Sequence, residues 1–131
     1  MSVHTNLPES VKALALSEAQ AFASAVEGIK TVVVATIDGF DIASAVSDGS
    51  DPARVAAMAS SISAISGVVS QETALGRNKS VIIDTDAGFA VVHSVHRPDV
   101  DLVIIVIASA AAILGQVAYR STQFARTLVD A

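Results

Sequence analysis

Apolar positions along the chain change period several times, and each change marks an element. From Glu9 to Glu27 an alanine-rich stretch places Val11, Leu14, Phe22, Ala25, Val26 and Ile29 near one face at about 100° per residue, which predicts a helix ending at Gly28. Glu18 interrupts that face, and Ser17 to Gln20 also fits a capping box, so a start or kink there is a competing reading. "TVVVATI" (31–37) and "FDIASAV" (40–46) flank Asp38-Gly39. An Asp-Gly pair between β-branched runs predicts an antiparallel hairpin on a type I′ turn, whose two central residues both need φ > 0. The first run is apolar on both faces and reads as a central strand. In the second, Phe40, Ile42 and Val46 alternate with Asp41, Ala43 and Ala45, as expected nearer an edge.

In "SDGSDP", Asp51 is placed to cap a helix and Pro52 to occupy its first position, and the helix is expected to run to Gly76. Next come "SVIID" (80–84), a turn at Asp86-Ala87-Gly88, "FAVVHSV" (89–95), a turn around Arg97-Pro98-Asp99 and "DLVIIVIA" (101–108), a three-stranded meander. The 18 uncharged residues between Asp101 and Arg120 approach the roughly 20 needed to span a bilayer. They divide, however. β-Branched character ends near Ser109, and the alanine-rich remainder carries Ile113, Val117, Phe124 and Leu128 at helical spacing toward Val129. The run therefore reads as a buried central strand followed by a closing helix, and no membrane partner is expected. The order is αββαβββα, an α+β domain over residues 9–131 after a flexible segment, residues 1–8.

Composition narrows the function classes. Of 131 residues 52% are hydrophobic but only 4% aromatic, with no Trp, so the core is built from Ala, Val and Ile. A net charge of -5 and a pI near 4.9 leave no electrostatic footprint for nucleic acid or an anionic membrane. Without Cys there is neither a disulfide framework nor a thiolate metal site. "MSVHTNLPESVK" has no basic segment followed by an apolar run, so a cytoplasmic location is expected.

The second helix carries the most informative pattern. Val55, Met58, Ile62, Ile65 and Val69 form one bulky stripe, read as packing on the sheet. The opposite side is Ala56, Ser60, Ser63 and Gly67, and no charge occurs from Val55 through Gln71. A helix covering a sheet normally exposes Lys and Glu, so this small-residue side is expected to meet a partner helix, as in a symmetric dimer.

No catalytic, cofactor-binding or metal-binding residue is nominated. His93 and His96 are of a metal-ligating type, but an odd separation on one strand sends them to opposite faces, His93 with Phe89, Val91 and Val95, His96 with Ala90, Val92 and Ser94. "GRNKS" (76–80) lacks the upstream Gly of a phosphate-binding loop and leads from helix into strand, so it is a connector. The serines lack a nucleophile elbow, and Asp84 and Asp86 flank a turn where acidic residues are routine. Arg54, Arg77, Arg97, Arg120 and Arg126 are scattered, as expected of solubilising surface residues.

The order αββαβββα, Gly28 before the first strand, the Asp38-Gly39 hairpin, an alanine-rich second helix ending in Leu75-Gly76, Gly88 in the next hairpin and the run into Ile113-Leu114-Gly115 together resemble the Roadblock family, over about residues 10–129. That family includes dynein light chains, Ragulator subunits and bacterial regulators of Ras-like GTPases. Ala118 departs from it, standing where relatives often carry a basic residue, and so does the scarcity of charge on the second helix. The resemblance implies a five-stranded antiparallel sheet in order 2-1-5-4-3 with helices on both faces. It also implies a homodimer or heterodimer in which Val81, Ile82 and Ile83 form a strand seam and residues 55–69 a helical one. The implied function is a non-enzymatic regulatory or scaffolding dimer that binds a small Ras-like GTPase and modulates its hydrolysis or merely scaffolds it. A PAS-like or GAF-like small-molecule sensor is the alternative, and requires a pocket with convergent polar groups.

Overall fold

The β-branched runs pair into one antiparallel sheet. The structure, a computed structural model, describes residues 7–131, with α1 (Glu9–Ala25), β1 (Ile29–Thr36), β2 (Asp41–Val46), α2 (Pro52–Glu72), β3 (Ser80–Thr85), β4 (Gly88–Val95), β5 (Leu102–Ser109) and α3 (Leu114–Asp130). The strand order is β2-β1-β5-β4-β3. The two runs that are apolar on both faces, β1 and β5, lie at the centre and are buried almost throughout, because helices cover them from both sides.

α1 and α3 share one face of the sheet. α1 buries Val11, Ala15, Ala19 and Phe22, and Val26 continues the same line. Ala25 is exposed, and α1 runs unbroken past Glu18 and Ser17, because the buried stripe passes through alanines, with Glu18 beside it. Residues 1–6 of the expected flexible segment lie outside the described residues. Leu7, by contrast, is only 2% exposed and packs into the core, and the Pro8 carbonyl accepts from the Val11 and Lys12 N–H groups. α3 buries Val117, Ser121, Phe124, Ala125 and Leu128, with the Phe124 ring 6.4 Å from that of Phe22. Ile113 is exposed instead of packed, since residues 110–113 form a turn and α3 begins after it. That turn rests on Gly28: a Cβ there would lie 2.6 Å from the Ala112 nitrogen, and its φ of +88° already disfavours a side chain.

The β1–β2 connection uses Asp38-Gly39 differently from expectation. Gly39 alone takes a positive φ, its N–H donates to the Thr36 carbonyl at 3.0 Å, and the Thr36 N–H donates to the Phe40 carbonyl at 2.9 Å. This is a three-residue loop with a glycine bulge, not a type I′ turn, and the ladder shifts register between Val34 and Ala35. Phe40 consequently sits at the hairpin tip, half exposed.

α2 crosses the other face. The Asp51 side chain accepts from the Ala53 N–H, and Pro52 occupies the first turn, as the sequence requires. The helix stops at Glu72, short of Gly76. Leu75 N–H bonds to the Ser70 carbonyl and Ala74 N–H to that of Gln71, with Ala74 at φ +56°, a Schellman closure that places an alanine where glycine is usual. By length and composition α2 is the one helix among the described residues apolar enough to cross a membrane.

Candidate functional site

α2 meets the sheet with the flank between its bulky stripe and its small-residue side, not with the whole stripe. Its buried residues are Val55, Ala56, Ala59 and Ser63, packed against Val33, Ala35, Val92, Val103 and Ile105, with Ile62 partly buried beside them. Met58, Ile65 and Val69 of the expected core stripe are exposed, at 47%, 67% and 52%, as is Val68 at 60%. Only Val55 and Ile62 of the stripe still face the sheet, so the helix is turned toward its small-residue side. Small side chains bring the helix close to the β-branched surface of the central strands, and the bulky ones are left outside.

Of the residues expected at an interface, Val55, Ala56 and Ser63 belong to the subunit's own core. Ser60 is half-buried, its hydroxyl donating to the Ile37 carbonyl at 2.6 Å and tying α2 to the hairpin tip. Gly67 is half-buried with open space where a Cβ would go. Met58, Ile65 and Val69 remain exposed on α2, and Ile65 and Val69 line, with Ile62 and Val81, a groove of ≈ 410 Å³ between α2 and β3; Ile82 and Ile83 are exposed on β3, Ile83 on the face that carries α2 and Ile82 on the other. A contiguous apolar patch on a subunit surface marks a contact site. β3 adds a strand edge: among the described residues it bonds only to β4, and every one of its residues but Val81 is exposed. An edge with no charge between Lys79 and Asp84 invites another strand.

The polar groups around this platform hold structure. Asp48 accepts from the Thr31 hydroxyl at 3.1 Å and from the Ser50 hydroxyl and N–H, which fixes the loop entering α2. The Ser50 bonds, followed by Thr31, hold its carboxyl below the usual range. Arg97, expected at the surface, has a side chain only 6% exposed. It forms a two-pronged pair with Asp99 at 2.9 and 3.0 Å and donates to the carbonyls of Leu128 and Ala131, capping α3. This hydrogen bond from Arg97 keeps the Asp99 carboxyl below its ordinary value.

His93 and His96 face opposite sides. His93 approaches the Thr122 hydroxyl of α3 at 3.4 Å, whereas His96 Nε2 donates to the Asn78 carbonyl at 3.2 Å. Among the described residues no group of three His, Cys, Asp or Glu comes together. A cleft of ≈ 240 Å³ under the C-terminal half of α2, lined in part by Ser63, Asn78, Ser94, His96 and Asp101, is below the size usual for a ligand pocket.

No family model and no curated protein matches the chain. Solved structures do. The chain is similar to the Roadblock/LC7 domain from Streptomyces avermitilis, with a TM-score of 0.77 at 15% identity over 86% of this chain and 92% of that one. It is similar to Myxococcus xanthus MglB, with a TM-score of 0.81 at 15% identity over 95% and 91%. An MglB with tetrameric arrangement gives 0.80 at 12% identity over 95% and 91%. At TM-scores of 0.77 to 0.81 over most of both chains, the chain has the Roadblock/LC7 fold.

Proposed function

We propose that this chain is a non-enzymatic regulatory or scaffolding subunit that self-associates in the cytoplasm and binds a small Ras-like GTPase. The observation that carries the reading is the exposed apolar platform of α2 and β3, on a domain whose polar side chains cap, staple and brace. A surface of this kind is stabilised by covering it, so its natural work is contact. The resemblance to regulators of Ras-like GTPases supplies the class of partner, and the similarity to an MglB of tetrameric arrangement supports association between subunits.

Two measurements test the proposal. Immobilised full-length chain is challenged with the small GTPases of its own genome, loaded with GDP or a GTP analogue. Retention of one of them, weakened by Met58→Asp or Ile65→Asp, is the expected result. Failure of every GTPase in both nucleotide states overturns the partner. A retained GTPase is then assayed for hydrolysis with and without the chain: acceleration assigns an activator, and an unchanged rate assigns a scaffold.

A further inference from the structure

We propose that the cleft under the C-terminal half of α2 binds a small monocarboxylate, its carboxylate taken by Ser63, Ser94 and Arg77 and its alkyl tail lying on Ile37. This site stands apart from the α2–β3 groove, with which it shares only Asn78 as a lining residue.

The strands that carry α2 build one wall. Ala35, Val92 and Val103 pack beneath the helix, and two residues further toward the same end of the sheet stand Ile37, Ser94 and Asp101. The Ile37 N–H donates to the Asp101 carbonyl, and Ser94 pairs with Val103, which keeps the three together. Ser63, Gly67 and Gln71, one line along α2 at intervals of four, form the other wall.

Two hydroxyls in this cleft have a hydrogen to give and no acceptor for it. Along α2 and its C-cap, the Ser61, Ser66, Ser70 and Thr73 hydroxyls donate to carbonyls of their own helix and Ser60 donates to Ile37, whereas Ser63, only 8% exposed, has no side-chain partner among the described residues. Ser94, 9% exposed, accepts from the Asn78 side-chain N–H at 3.2 Å, and its own O–H is left over. Buried hydroxyls of this kind are costly unless something completes them. Arg77 lines the same cleft and, among the described residues, enters no ion pair or side-chain hydrogen bond. Two spare donors and a spare guanidinium call for an acceptor with negative charge, and a carboxylate presents two oxygens that suit both.

Gly67 points to the same place. Glycine inside a helix weakens it, and no neighbour here demands one, since a Cβ would meet nothing within 4 Å. What the missing side chain keeps open is the cleft. Its ≈ 240 Å³ excludes a drug-sized molecule and suits a short-chain acid whose tail meets Ile37. Asp101 is the one acidic side chain in the lining, its carboxylate 3.8 Å from His96 Nδ1. It repels a second negative charge, which selects a monocarboxylate over a dicarboxylate or phosphate.

The probes are acetate, propionate and butyrate, titrated into the full-length chain and followed by amide NMR, with chloride at equal ionic strength as the control. The expected result is saturable shifts at Ser63, Gly67, Arg77 and Asn78, with affinity rising about fourfold per added methylene, and no binding of succinate or inorganic phosphate. Ser63→Ala and Arg77→Gln should each weaken butyrate about tenfold, and Gly67→Leu should abolish its binding. Ser63→Ala also separates binding from structure. Removing a spare buried hydroxyl should leave the ligand-free melting temperature at or above that of the parent, and a lower one would assign Ser63 to the fold and overturn its role. Asp101→Asn should admit phosphate. Shifts no larger than those from chloride, or binding of phosphate or succinate as strong as that of butyrate, overturn the proposal. So does a Ser63→Ala or Gly67→Leu chain, folded by circular dichroism, that binds butyrate as the parent does.

Discussion

The two faces of the sheet are built on opposite plans. Against α1 and α3 the large side chains point inward: Leu7, Phe22, Leu102, Ile104 and Leu128 are among the largest fully buried groups of the domain. Against α2 the helix itself contributes mostly small side chains, Ala56, Ala59 and Ser63 beside Val55, while its Met58, Ile65, Val68 and Val69 stand in solvent. One face is finished within the subunit. The other is finished only to the depth of an alanine layer, and its remaining apolar surface is available to a partner. A hydrophobic stripe on a helix thus does not by itself say which side meets the chain's own sheet.

The largest effect that tests this contrast is a truncation pair. Phe22→Ala should cost about 3–5 kcal/mol in chemical denaturation, whereas Ile65→Ala, measured below the self-association concentration, should fall within about 0.5 kcal/mol of the parent. Equal costs would erase the distinction. Next, Ala59→Leu should destabilise by about 1–3 kcal/mol, because its methyl is fully buried between α2 and the sheet. A neutral result would show that the alanine layer is loosely packed. Ile65→Asp should leave subunit stability nearly unchanged and weaken self-association about tenfold by sedimentation, a loss of about 1.4 kcal/mol.

Smaller effects refine the picture at the ends of the helices. Ala74→Gly relieves a left-handed alanine at the end of α2 and should stabilise by about 0.4–1 kcal/mol, read as a rise in melting temperature. Asp99→Asn tests the clamp on α3. Since Asp99 has a folded-state pKa below its unfolded one, its stabilisation is complete above the ordinary carboxylate range and is lost as pH falls through the lower, folded value. The variant should be slightly less stable at pH 7 and show a shallower stability loss below about pH 4, because one of the linked carboxylates is gone. An unchanged acid profile would assign the clamp to Arg97 and the α3 carbonyls alone.

How legible all this was in the sequence follows from the range of each interaction. Asp51-Pro52 announces a helix start because the cap acts two residues away, and the β-branched runs at 31–37 and 102–108 announce central strands because burial on both faces removes alternation. The strand order itself came from family resemblance, not from periodicity. The orientation of α2 was not readable: two uncharged stripes face opposite ways on one helix, and periodicity locates stripes without saying which meets the sheet. Bulk favoured the wrong one. Close approach to β-branched strands selects Ala56, Ala59 and Ser63, and that preference depends on the partner surface. Arg97 was missed for a related reason, since the carbonyls it caps, those of Leu128 and Ala131, lie a strand and a helix away in sequence. Asp38-Gly39 serves two kinds of hairpin, and only the backbone angles separate them.

The adjacency of β1 and β5 also dictates an order of assembly. Thr36 lies opposite Leu102, and Ile29 opposite Ala108. Both outer pairs, β1–β2 and β3–β4, are local hairpins that form between near neighbours, but the strand that joins them is synthesised last. Until β5 emerges, α2 has only half of its docking surface, and its apolar length remains unsheltered in the growing chain. Closure of the central ladder is the step at which two separate hairpins become one sheet.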